Sequence, residues 1–273
     1  MNPFSDPVAI ANSSYALYDG RDLIRGDTGD PASPLCHFVH DAVRALVLND
    51  QFSCLGGKSS FRQGTYRFGL YSQLGHPDAA AGLARDLCTF AGELPAFGDA
   101  FSTYVASFSR PNPPDEAAFE RDLWKTLQLL HDFDVPHYQW DPSVSDDPDD
   151  PRFAFSFAGV AFFVIGLHAG SSRAARRCAW PTLVFNSHRQ FEQLRQRGGY
   201  ARFQRVIRER DERLQGEPNP MVADFGTRSE AVQYAGRRVD GPWSCPFHAG
   251  GDRGARPSDD AHDDERVDDA AAD

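Results

Sequence analysis

The sequence predicts an α+β fold, a mostly antiparallel sheet covered by helices in a single domain over residues 1–250. Three observations lead there. Phenylalanines alternate at 153, 155 and 157 and are followed, after Gly159, by the apolar run Ala161–Leu167, which reads as a hairpin whose second strand is buried on both faces. Apolar residues recur at helical spacing over Asp115–His131. Hydrophobic residues at 41% and charged residues at 25% of 273 positions are globular composition, in a chain long enough to bury about three quarters of its unfolded surface.

In chain order, Leu35, Phe38, Val39, Ala42, Val43, Leu46 and Val47 recur at three- and four-residue steps and predict a helix over 35–48. Gly56-Gly57 reads as a turn into a strand over 65–71. Residues 78–94, rich in Ala and Leu, predict a helix capped by Asp78. A strand over 100–107 closes at the breaker-rich Arg110-Pro111-Asn112-Pro113-Pro114. In the helix that follows, Phe119, Leu123, Leu127 and Leu130 form one stripe, and His131 faces inward near its end. The acidic, proline-bearing stretch 141–151 reads as a surface loop or a subdomain seam. After the hairpin, Thr182–Asn186 predicts another buried strand, running into a helix from His188 to Arg197. Gly198-Gly199 breaks that helix, and helical spacing resumes over Tyr200–Gln215.

The net charge is −11, and residues 251–273 carry −6 of it with almost no apolar side chains. That tail cannot build a core and reads as disordered and solvating. The overall acidity argues against nucleic acid as a partner. No apolar run reaches the roughly 20 residues of a membrane helix. The first residues lack a basic region followed by an apolar stretch, so the expected location is cytoplasmic. Cys36, Cys54, Cys88, Cys178 and Cys245 are odd in number, widely spaced and without a C-x-x-C pair. They read as buried small apolar residues rather than as a disulfide framework or a thiolate zinc site. Of the 28 basic residues only Lys58 and Lys125 are lysine, and arginine favours bidentate anion contacts.

Candidate chemistry clusters in the second half. His168 follows the run Ala161–Leu167, and His188 follows Thr182–Asn186. Strand ends hold side chains rigidly near clefts, and imidazole is the commonest transition-metal ligand. Taken singly, a locally hydrogen-bonded core histidine is the simpler reading. Ala169-Gly170-Ser171-Ser172-Arg173, with Arg176 and Arg177, places backbone N–H groups beside cations and suits a bound anion, or else a capped helix with solvated arginines. Further on, Asn219, Asp224, Glu230, Tyr234 and Trp243-Ser244-Cys245-Pro246-Phe247 crowd polar groups, a proline and aromatics together. That crowding predicts a lined pocket, with Asp224 and Glu230 able to pair with a cationic ligand. G-x-S-x-G, H-E-x-x-H, P-loop and G-x-G-x-x-G patterns do not occur, which removes the common hydrolase and nucleotide-cradle readings.

The ordered motifs FSFAGVAFFVIGLHAGSSRAARRCAWPTLVFNSHRQFEQLR, IRERDERLQGEPNPMVADFG, SEAVQYAGR and WSCPF, within residues 119–247, resemble the YqcI/YcgG family. Members carry an aromatic-Pro-Cys motif nearer the N-terminus, where this chain has Pro34-Leu35-Cys36-His37-Phe38. The resemblance implies haem b with its iron, dioxygen or peroxide as oxidant, and N-hydroxylation of the guanidino group of L-arginine, in antibiotic biosynthesis. It leaves the electron donor unnamed and allows a homodimer. A haem needs an axial ligand, an apolar slot and cations for two propionates. The resemblance implies His168 as ligand, then His131, then His188 or Cys245, with Cys178 a further thiolate. It puts Phe155, Phe157, Phe163 and Trp124 on the slot, Arg173, Arg176 and Arg177 on the propionates, Glu230 and Asp224 on the guanidinium, and His188 in proton relay. A haem carrier without oxygenase activity and a non-haem iron enzyme using His131, His168, His188 and Asp224 are the alternatives.

Overall fold

The computed structural model describes residues 2–110, 112–217, 219 and 226–250. Strands β1 (Ala16–Tyr18), β2 (Leu23–Arg25), β3 (Tyr66–Gln73), β4 (Thr103–Arg110), β5 (Phe155–Phe157), β6 (Val160–Leu167) and β7 (Thr182–Ser187) form one sheet in the order β2-β1-β3-β4-β7-β6-β5. Every pairing is antiparallel except β3 with β4. Those two are joined through helix α4 (Pro77–Glu93), the crossover that parallel strands require. The α+β class therefore holds, with one parallel pair at its centre.

Alternation along the strands sorts the core into two faces. Tyr104, Ala106 and Phe108 of β4, Phe162 and Val164 of β6, and Leu183 and Phe185 of β7 pack with Leu83 and Leu87 of α4 and with Phe119, Leu123 and Leu127 of α5 (Glu116–Asp134). On the opposite face Phe68 and Val105 meet Val39 and Val43 of α2 (Pro34–Leu48) and Phe61 of α3 (Leu55–Gln63). The β6–β7 part of that second face is roofed by α6 (His188–Gln196) and α7 (Tyr200–Gln215), and there a cavity remains.

Local chemistry explains the boundaries. Ala158 (φ 52°) and Gly159 (φ 72°) both take the left-handed region, the turn that lets Phe157 pair with Val160 without splaying the strands. Asp115 starts α5 by accepting the Ala118 N–H. Two expectations are corrected. Gly56-Gly57 is not a turn but the start of α3, capped by Cys54, whose Sγ accepts the Gly57 N–H. A Cβ on Gly56 would lie 3.1 Å from the Phe101 ring, so close packing rather than chain reversal asks for glycine there. The cap of α4 is His76, whose Nδ1 accepts the Asp78 N–H, and Asp78 lies inside the first turn. The short α1 (Pro7–Asn12), β1 and β2 carry no strong period in the sequence. Among the described residues no helix is long and apolar enough to cross a membrane. The acidic stretch 251–273 lies outside the described residues.

Candidate active site

The cavity holds about 220 Å³ and is walled mainly by apolar and aromatic side chains. Odd-numbered Phe163, Ile165 and Leu167 of β6 form one wall, Phe191, Phe203 and Ile207 of α6 and α7 the roof, and Phe52 and Phe101 the far side. β7 runs without a loop into α6, so His188 opens the helix at the strand end, with its ring on the cavity wall and only 6% exposed. The strand-end placement read from the sequence holds for this histidine.

His188 is held by a buried carboxylate. Its Nε2 lies 3.0 and 3.1 Å from the two oxygens of Glu230. Glu230 is fixed in turn by the Tyr234 hydroxyl, which donates to Oε1 at 2.6 Å and accepts the Phe155 N–H at 3.0 Å. Tyr234 lies on α8 (Ala231–Tyr234), one helical turn from Glu230, and its ring stacks on Trp124. Burial, and then the Glu230 charge, hold the Tyr234 pKa well above the usual phenol value, so the hydroxyl stays protonated and remains a donor. The chain Phe155–Tyr234–Glu230–His188 runs from the core to the cavity, and fixes the imidazole as an outer carboxylate fixes a ligating or proton-transferring histidine.

Cys54 shares the cavity wall. Its thiol pKa is raised by burial, against the hydrogen bonds it accepts from the Gly57 and Gly56 N–H groups. Cys36, by contrast, lies on the core face of α2 and is 4% exposed, with a thiol pushed up to about 11 by burial. The cysteine that reaches the cavity thus stands in Phe52-Ser53-Cys54. The signal was an aromatic two residues before a cysteine at a helix start, which no spacing rule singles out.

The remaining expected residues divide. Arg176 is on the wall but spent on the protein: its guanidinium donates to the carbonyls of Gly166, Tyr234 and Gln233, and burial lowers its pKa to about 10. Arg173, also on the wall, pairs with Asp211 at 2.5 Å and with Glu217 at 3.3 Å. Arg177 lies off the wall and donates to the Ser171 carbonyl. These three bind protein acceptors, so they do not stand as a ready propionate clamp. Glu230 meets His188 and Tyr234 rather than standing bare for a guanidinium. Asp224 lies outside the described residues.

His168 and His131 do not line this cavity. His168 continues the even-numbered face of β6; its ring is fully buried and stacked on Phe119 of α5 at 4.3 Å, and both ring nitrogens lack a partner among the described residues. Burial lowers its pKa, so it is a neutral core imidazole. His131 packs against Trp140 and Phe247 on the α5 side of the sheet. The sheet separates both from His188, so the three imidazoles do not converge, and among the described residues no group of three His, Cys, Asp or Glu side chains is arranged to share a metal. Cys178 packs in the core beneath α2, and Cys245 lies in the core under α5 with its thiol pushed up to about 12 by burial.

A profile of the YqcI/YcgG family matches residues 43–248, about three quarters of the chain, and takes in the cavity wall from Phe52 to Gln233. The chain belongs to the YqcI/YcgG family. The match begins after Cys36 and includes Cys54. No curated protein and no solved structure matches the chain.

Proposed function

We propose that this YqcI/YcgG protein is a haem-dependent monooxygenase that hydroxylates the guanidino group of L-arginine to Nω-hydroxy-L-arginine. The observation that carries the reading is the buried His188–Glu230 pair on a mainly apolar cavity wall. It is supported by the resemblance of residues 119–247 to the haem-containing L-arginine hydroxylase of D-cycloserine biosynthesis. A porphyrin asks for apolar flanks, one strong donor atom and cations for two carboxylates. The cavity offers each in kind: Phe163, Phe191 and Phe203 as flanks, the His188 imidazole or the Cys54 thiol as donor, and, as cations on the wall, Arg208 and Arg195, the latter already paired with Glu192 and so having to exchange that partner for a propionate. The residues present fit the group, with His188 or Cys54 in place of His168 as its holder.

Bound haem supplies an iron at which dioxygen or peroxide is activated. The chain's own residues position and protect. Glu230 keeps the Nε2 proton of His188 in place and sets the ring's orientation. Glu230 accepts from His188 and Tyr234, yet a carboxylate has about four acceptor sites, which leaves capacity for a guanidinium N–H. The aromatic walls keep bulk water from the reacting nitrogen.

The test is haem uptake followed by turnover. Purified protein titrated with haemin should develop a Soret band at one equivalent. Incubation with L-arginine and either dioxygen plus a reductant or peroxide should yield a product one oxygen atom heavier. Absence of any Soret band overturns the reading. Haem uptake without oxygenated arginine under either oxidant favours a carrier.

A further inference from the structure

A second cavity, of about 400 Å³, lies between α3 and α7 and is lined by Asp50, Leu55, Lys58, Ser59, Arg62, Gln63 and Arg210. Its lining is mostly polar and strongly cationic. Lys58, one of only two lysines in the chain, is 4% exposed. Among the described residues its ammonium donates to a single protein acceptor, the Asp50 carbonyl at 3.2 Å. Arg210 reaches in from α7, and its Nη1 is buried with no hydrogen-bond partner among the described residues. Arg62 comes from the last turn of α3. No carboxylate lies within ion-pair distance of any of the three among the described residues. Buried cations are normally paired, since an uncompensated one carries a desolvation cost. Burial, then the nearby Arg210, accordingly lowers the Lys58 pKa.

We infer that this cavity binds a phosphate monoester dianion. Three cations less the single Asp50 carboxylate leave a net charge of about +2, which one phosphate group, about −1.5 to −2 at neutral pH, would balance. Lys58 supplies a compact point charge, and the two guanidiniums supply planar forks suited to phosphate oxygens. The cavity exceeds a bare phosphate, which leaves room for the ester's organic part. The same two helices wall the aromatic cavity: Cys54 caps α3 and Gly56 lies in it, and Ile207, Arg208 and Asp211 come from α7. An anion held by Lys58, Arg62 and Arg210 would therefore tie the roof helix to the opposite wall of the active site. This is independent of whether haem occupies that site.

Isothermal titration of the full chain with inorganic phosphate, and separately with AMP, tests the proposal. One equivalent of AMP should bind more tightly than phosphate, and amide hydrogen exchange along α7 should slow when it does. Lys58→Met and Arg210→Gln should each weaken binding at least about tenfold. Arg21→Gln, at an exposed site elsewhere, should leave it unchanged. If Lys58→Met does not fold, Arg62→Gln with Arg210→Gln carries the test, since neither side chain is an apolar core element. Absence of binding by both probes overturns the proposal, as does unaltered affinity in the double arginine variant. Equal affinity for the two probes overturns the monoester in favour of free phosphate, and α7 exchange that ignores the ligand overturns the tie between the helices.

Discussion

Tyr234→Phe removes one oxygen and leaves the aromatic packing in place. That oxygen is fully buried, accepts the Phe155 N–H at 3.0 Å and donates to Glu230 at 2.6 Å. A hydrogen bond to a charged group is worth about 1.5–3 kcal/mol, and an orphaned buried N–H costs about 1–3 kcal/mol. The two losses share one atom and are not additive, so a destabilisation of about 3 kcal/mol is expected. At about 2–4 °C per kcal/mol for a chain of this size, Tm should fall by roughly 6–12 °C. Because the phenol stays protonated, the fall should be the same at about pH 6 and about pH 9. Thermal unfolding followed by circular dichroism measures it. Glu230 also loses one of its two donors, so His188 is held less firmly, and the absorbance of the haem-loaded protein should shift or broaden. A Tm within about 2 °C of the parent, together with an unchanged spectrum, would refute the claim that this hydroxyl anchors the site.

Other substitutions probe separate parts of the argument. Asp134 accepts the Ala158 N–H under the β5–β6 turn, and burial pushes its pKa up to about 7. Its folded pKa exceeds the unfolded value of about 3.9, so its contribution to stability is fully present below about pH 4 and lost as pH rises through 7. Asp134→Asn should therefore be more stable than the parent above pH 7, by up to about 4 kcal/mol; urea unfolding at about pH 5 and about pH 8 that gives parent and variant the same pH dependence would contradict this. Gly82→Ala would put a Cβ 2.1 Å from the Asn12 carbonyl oxygen, so α1 should detach from α4 at a cost of about 1–3 kcal/mol; limited proteolysis should then cut the first fifteen or so residues early. His168→Leu removes two buried nitrogens that have no partner among the described residues and should be neutral or stabilising by about 1 kcal/mol, with haem uptake intact. Loss of the Soret band in that variant would move the iron to the other face of the sheet.

Much of the fold was legible. Alternating phenylalanines and Gly159 marked the β5–β6 hairpin, and the stripe Phe119, Leu123, Leu127 and Leu130 marked α5, because a repeat of side chains reports the period of the backbone that carries them. Alternation also assigns His168 to the same face of β6 as Phe162 and Val164, opposite to Phe163 and Ile165. What alternation leaves open is which face holds the cavity. That depends on α4 and α5 packing against one side while α6 and α7 arch over the other and leave the aromatic cavity beneath them.

The site itself was legible only in pieces. His188 and Glu230 stood out separately, but they are 42 residues apart, and no local period encodes their meeting. Cys54 was passed over because a lone cysteine has no pattern, and Gly56-Gly57 was read as a turn because glycine's breaker tendency is local whereas its closeness to Phe101 is not. Arg176 looked like a free cation until three carbonyls from distant segments closed on it. Composition and spacing determined which elements form and which side of each is apolar, since those follow from neighbours within a few residues. Only the tertiary structure decided which polar groups are consumed by the protein and which face a cavity, because hydrogen bonds and burial are settled by whatever the fold brings alongside.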